Sequence, residues 1–164
     1  MGAGKSCIGR KLAQRLRWKF LDSDAEIEKK TGVNIPTIFE IEGENGFRSR
    51  ESQILSDLVG IPNIVLASGG GSVLLPENQE LLRAHGFIIY LATSVQSQLV
   101  RTQRDRHRPL LCTKDRRAKL EELATQRNPI YERLANLTLS TDDRSINDTV
   151  KKIIAELKTR KVIS

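Results

Sequence analysis

Gly4, Lys5 and Ser6 fill the last three positions of the phosphate-binding pattern G-x-x-x-x-G-K-[ST], whose leading glycine would stand before residue 1. Gly2, Ala3 and Gly4 let backbone N–H groups turn inward around a phosphate at the positive end of a following helix. Lys5 then reaches the β- and γ-phosphates and the Ser6 hydroxyl holds Mg²⁺. A glycine-rich tail without function has the same composition. The amphipathic helix that follows gives the fragment its mechanism. Met-Gly-x-x-x-Ser also matches a myristoylation pattern, but the helix makes the phosphate reading the better one.

Three further constellations carry chemistry. Asp22 and Asp24 stand at a strand end and read as two carboxylates with separate tasks. One can face a metal and the other a substrate, or both can cap a helix. Gly69-Gly70-Gly71 follow an apolar run. Three consecutive glycines lose much conformational entropy on folding, which points to a close approach by a ligand or another backbone. Residues 101–117 hold Arg101, Arg104, Arg106, Arg108, Lys114, Arg116 and Arg117 against Asp105 and Asp115. An aperiodic basic stretch of this kind suits a lid over phosphates. Aromatic residues are nearly absent from it, which argues against stacking on single-stranded nucleic acid.

These residues need elements to hold them. Ile8, Leu12 and Leu16 give residues 5–17 one apolar helical face. Residues 19–21 predict a strand, and 25–30 a helix ended by Thr31-Gly32. Asn34 caps a short helix with Pro36 near its start. Glu44-Asn45-Gly46 predicts a break, and 47–58 a second helix. Residues 64–67 and 87–91 read as buried parallel strands. Helices are predicted at 77–84, from Ser94 to about 101, at 116–126 and at 129–135. A strand at 137–139 and a helix capped by Ser145 complete the chain. Alternating strands and helices imply a parallel sheet covered on both faces, with ligands beyond the carboxyl ends of the strands.

Composition sets the remaining bounds. At 164 residues the chain is one domain's worth, with 38% hydrophobic and 29% charged residues, as in a globular protein. No apolar run approaches the roughly 20 residues that span a bilayer, and no apolar leader opens the chain. A net charge of +7 suits anionic partners without choosing between nucleic acid and small phosphorylated or carboxylated molecules. Cys7 and Cys112 lack metal-ligand spacing and read as two reduced thiols, which implies a cytoplasmic setting.

Gly-Ala-Gly-Lys-Ser, Asp-Ser-Asp, Ile-Phe-Glu-Ile-Glu-Gly-Glu with Gly-Phe-Arg-Ser-Arg-Glu, Ser-Gly-Gly-Gly, Arg-Pro-Leu-Leu and Arg-Asn-Pro-Ile-Tyr follow one another in the order and spacing of the shikimate kinases. The chain resembles that family over nearly its whole length. The resemblance implies a three-layer α/β/α P-loop NTPase with a parallel sheet and a mobile lid. The family sheet has five strands, and the first, central one is absent here. It also implies one domain over 1–164, a substrate-binding region at about 32–60 and a lid at about 103–116. The implied reaction takes the γ-phosphoryl of ATP to the 3-hydroxyl of shikimate. Gluconate kinase and a nucleotide- or nucleic-acid-binding module without activity are the alternatives.

Position by position, the resemblance implies that Gly2, Ala3, Gly4, Lys5, Ser6 and Cys7 surround the ATP phosphates. Ser6 and Asp22 would hold Mg²⁺. Asp24 would grip the shikimate hydroxyls as the candidate base. Arg48 and Arg127 would bind its carboxylate, Gly69, Gly70 and Gly71 would admit its ring, and Phe39 and Phe47 would pack around it. Arg108 resembles the lid arginine on the moving phosphate, and Arg101 and Arg144 the pair that sandwiches adenine. Lys5, Asp24 and Arg108 are the implied catalytic residues. Cys7 and Ser68 stand where the family usually has threonine. The implied protein is a monomer with small-molecule substrates and no nucleic-acid or membrane partner. Met1 reads as an internal methionine of the loop, and a chain starting there would leave two strand edges unpaired.

Overall fold

A computed structural model describes residues 2–103, 109–111, 113–142 and 144–163. The chain alternates helix and strand: α1 (Lys5–Leu16), β1 (Lys19–Asp22), α2 (Ser23–Thr31), α3 (Ile35–Val59), β2 (Ile64–Ala67), α4 (Pro76–His85), β3 (Ile89–Ala92), α5 (Val95–Thr102), α6 (Arg116–Leu134), β4 (Leu137–Ser140) and α7 (Ile146–Thr159). Short 3₁₀ turns occupy Ser72–Leu74 and Pro109–Leu111.

β1 pairs with β2 in parallel, from Lys19 opposite Ile64 to Asp22 opposite Ala67. β3 pairs with β4 in parallel, from Ile89 opposite Leu137 to Ala92 opposite Ser140. Successive strand residues face opposite sides, and β2 shows it. Val65 packs with Ile8, Leu12, Val150, Ile153 and Leu157 of α1 and α7. Ile64 and Leu66 pack with Ile27, Ile38, Phe47, Ile54 and Leu58 of α2 and α3. The two clusters therefore lie on opposite sides of the strands, giving the helix–sheet–helix layering expected of a P-loop fold.

Between the two strand pairs lies a slot of about 500 Å³. Every residue of β2 lines it, as do Phe87 to Leu91, with α1 below through Ile8 and Leu12. Among the described residues no strand pairs with the second edge of β2 or of β3. Among the described residues the second edges of β2 and β3 thus border one slot.

Local structure departs from the sequence reading in three places. The break read at Glu44-Asn45-Gly46 falls one residue earlier, at Gly43 (φ 69°, ψ −174°), where two helical stretches of α3 meet at a kink. That backbone is open to glycine and strained for other residues. Arg116–Leu134 forms one helix with Pro129 inside it. Proline removes one backbone donor, but burial of Leu120, Leu123, Arg127 and Leu134 along α6 keeps both halves in line. β3 starts at Ile89, two residues later than its apolar run, because Asn136 Oδ1 accepts the Ile88 N–H at 2.7 Å ahead of the ladder.

Candidate active site

All four strands are parallel, so their carboxyl ends share one edge of the molecule. Asp22, Ala67, Ala92 and Ser140 end them. The loop before α1 comes to the same edge. Gly4 precedes that helix in the left-handed region (φ 83°, ψ 18°), and Gly2 has φ 67°. Both conformations suit glycine. No side chain caps this helix, so its first amides lie open to an anion.

Ser6 Oγ donates to Asp22 Oδ2 at 2.7 Å. The other Asp22 oxygen accepts the Asp24 N–H at 3.2 Å and caps α2. Asp22 therefore serves both alternatives raised by its sequence position, as cap and as carboxylate beside the phosphate loop. Hydroxyl and carboxylate oxygens are hard donors of the kind that Mg²⁺ accepts, so this pair fits that ion. Arg101 reaches across from α5, donating through Nη1 to Gly2 O at 3.3 Å and to Thr141 Oγ1 at 3.0 Å, and through Nη2 to Thr141 O at 2.8 Å. It ties the loop to the end of β4. Arg144 is exposed and joins none of these bonds.

A second cluster gathers around the triple glycine. The Gly69 N–H is held by Ser23 Oγ at 3.0 Å. A Cβ on Gly69 would collide with the Glu51 carboxylate and come 3.3 Å from Asp24 Oδ1. One on Gly70 would come 3.0 Å from the Tyr131 hydroxyl and 3.7 Å from Arg127 Nη1. One on Gly71 would collide with the Arg48 guanidinium. The close approach read from the three glycines is therefore made by side chains, which the turn brings together from α2, α3 and α6. Gly71→Ala is expected to destabilise the fold by about 1–3 kcal/mol, the usual effect of overpacking. Thermal unfolding checks this, and an unchanged melting temperature would mean that Arg48 moves aside freely.

Charges in this cluster are buried. Arg48 donates through Nη1 to Glu51 Oε2 at 2.7 Å and through Nη2 to Glu44 Oε1 at 2.8 Å. Glu51 has no exposed surface, and burial pushes its carboxyl above the usual range, with the Arg48 charge opposing. Arg127 is only 5% exposed and makes no ion pair among the described residues. Its Nε, like Arg48 Nε, is buried without a hydrogen-bond partner there. A guanidinium so placed is costly unless an anion meets it. Phe39 and Phe47 stack at 4.8 Å, and Arg48 lies over the Phe47 ring at 5.2 Å.

Lys5, Ser6, Asp22 and Arg101 thus meet at the loop, and Asp24, Arg48, Gly69, Gly70, Gly71 and Arg127 at the turn beside it. Cys7 is exposed with a free thiol. Arg108 and Cys112 lie outside the described residues. Sequence reasoning missed Glu51, Ser23 and Tyr131. The signals were present for two of them: Glu51 stands three residues from Arg48 and Tyr131 four from Arg127, the spacings that meet on a helix.

A helix-terminal phosphate loop and an acceptor-side cluster of acid and guanidinium share one sheet edge, which defines a phosphotransferase of the P-loop class. A sequence model described as shikimate kinase matches residues 1–158. Shikimate kinase from Thioalkalivibrio sulfidiphilus is 56% identical over 157 residues, covering 96% of this chain and 80% of that one. The Methylococcus capsulatus enzyme is 54% identical over 154 residues, with 94% and 86% covered. Shikimate kinase from Acinetobacter baumannii, solved in complex with shikimate, superposes with a TM-score of 0.96 at 45% identity, covering 99% of this chain and 91% of that one. The Aquifex aeolicus enzyme gives 0.81 at 29% identity, with 100% and 95% covered. The chain belongs to the shikimate kinase family, whose members are ATP-using kinases.

Proposed function

We propose that this chain transfers the γ-phosphoryl group of ATP to the 3-hydroxyl of shikimate, giving ADP and shikimate 3-phosphate. The observation that carries the reading is Arg127: a buried guanidinium without an ion pair among the described residues, beside the triple glycine and Asp24, is suited to a small carboxylate. Guanidinium pairs with both carboxylate oxygens at once, which orients as well as binds. Shikimate supplies that carboxylate and, across its ring, the hydroxyls.

In this reading Arg48 joins Arg127 on the carboxylate and Asp24 receives the hydroxyls. Gly69, Gly70 and Gly71 form the wall, with Phe39 and Phe47 behind Arg48. The amides of residues 2–7 and the Lys5 amine hold the ATP phosphates. Ser6 and Asp22 would hold Mg²⁺, which when bound neutralises phosphate charge. Arg101 and Arg144 flank the adenine. The O3–Pγ bond forms as the bond from Pγ to the ADP oxygen breaks, and Asp24 takes the O3 proton. Most of the acceleration comes from positioning and from cations on the moving group. The protein works as a cytoplasmic monomer, with residues 32–60 binding substrate and 103–116 closing as a lid.

A panel of shikimate, gluconate and other hydroxy acids, with coupled detection of ADP, tests the proposal. Shikimate-dependent ADP release is expected, and gluconate as the preferred acceptor would overturn it. Arg108→Ala is expected to lower kcat by about 10²-fold, as for other groups that meet developing charge, and to weaken ADP binding far less. Equal losses would reduce Arg108 to simple nucleotide binding.

A further inference from the structure

Tyr131 follows Arg127 by one helical turn on α6, so the two side chains share a face. The Tyr131 hydroxyl donates to the Gly70 carbonyl oxygen at 2.5 Å. The same hydroxyl lies beside the Arg127 guanidinium, whose charge opposes the rise that burial gives the phenol's pKa. Its ring is fixed in turn. Tyr90 packs on it with centroids 5.0 Å apart and planes tilted by 37°, and the Tyr90 hydroxyl donates to Asn128 Oδ1 at 3.1 Å, on the same helix.

The geometry has a consequence for both neighbours. Gly70 sits in a turn of three glycines, residues with the widest choice of backbone conformation, and Arg127 is a long side chain with many rotamers. A single hydroxyl bonded to the first and resting against the second sets the distance between them. We propose that Tyr131 is a positioning residue that fixes Arg127 against the Gly70 carbonyl, and so sets the affinity for the substrate's carboxylate. The inference rests on the assignment of Arg127 to that carboxylate. Tyr131 acts through Arg127 and the turn and need not touch the substrate.

Tyr131→Phe deletes the hydroxyl and keeps the ring on Tyr90. The KM for shikimate is expected to rise roughly tenfold, the weight of one hydrogen bond of ordinary strength. The KM for ATP should stay within about twofold. With the methyl ester of shikimate, which lacks the charge Arg127 would meet, the penalty should shrink to near nothing. A lower melting temperature with equal changes in both KM values would mean a structural role only and overturn the proposal, as would the same penalty for acid and ester. Gly70→Ala sets a methyl against the same hydroxyl. Combined with Tyr131→Phe it should cost less than the product of the two single effects, and independent effects would count against the coupling. If Tyr131→Phe does not fold, Gly70→Ala alone keeps the test open, because it should raise the KM for the acid more than that for the ester, and an equal rise would overturn the proposal. Arg127→Ala separates the two layers. Unchanged shikimate affinity in that variant refutes the carboxylate assignment, whereas loss there without loss in Tyr131→Phe refutes the positioning role alone.

Discussion

Asp24→Asn is expected to lower shikimate phosphorylation by at least about 10²–10⁴-fold, the usual contribution of a positioned general base, while ATP binding stays largely intact. Asp24 sits in the first turn of α2, with its N–H held by Asp22. The helix start favours its negative charge. Its Oδ1 faces the Gly69 position, on the acceptor side of the loop, so the side chain stands apart from the Ser6–Asp22 pair. Asparagine keeps the shape and the hydrogen-bonding reach but accepts no proton. Coupled ADP assays give kcat, and calorimetry with a non-hydrolysable ATP analogue gives the affinity. Phosphorylation at the unsubstituted rate would remove Asp24 from the chemistry. A matched fall in nucleotide affinity would move its role to the phosphate loop.

Much of this arrangement is legible in the chain because its signals are local. Gly-Lys-Ser before an apolar stripe announces the loop and α1 together, since helix and anion site arise from the same unpaired amides. Asp22 reads as a cap and is one. The apolar runs at 64–67 and 87–91 announce buried parallel strands, though the second starts two residues late. Non-local facts were harder to see. In Arg48-Ser49-Arg50-Glu51 the glutamate looks like one more exposed helix charge, yet it has no exposed surface, because α3 turns that face toward the triple glycine. Arg50, the residue before it, instead meets Glu42 across the Gly43 kink. Pro129 misleads in the other direction. Local chemistry says the helix ends, and tertiary burial on both sides of it carries the helix through. Tyr131 lies within the Arg-Asn-Pro-Ile-Tyr motif, but its partner is a carbonyl 61 residues away. Such a partner leaves no trace in spacing.

A form carrying about ten more residues ahead of Gly2, about five of them an extended apolar run, is expected to melt on the order of 10 °C higher and to bind ATP more tightly. The slot between β2 and β3 dictates this. Both strands offer unpaired backbone edges to it, and apolar side chains from both helical layers line it. Ala3 and Lys5 stand at its rim with Gly69 and Gly70, at the carboxyl ends of the strands. A segment entering at the opposite end and leading into Gly2 would run parallel to both neighbours and bond to each. Five buried apolar side chains contribute about 10 kcal/mol, and ordering the same residues costs about 7. The remainder of about 3 kcal/mol, with ladder hydrogen bonds beyond it, corresponds to several degrees and upward for a chain of this size. The effect on ATP has a separate cause. The loop amides cradle a phosphate only when both ends of the loop are anchored. Among the described residues the Gly2 carbonyl accepts one long contact, of 3.3 Å, from Arg101. Melting curves and ATP calorimetry on the two forms check both effects. Equal melting temperatures would show that the slot closes without a strand, and a higher melting temperature with unchanged ATP affinity would show that Arg101 already anchors the loop.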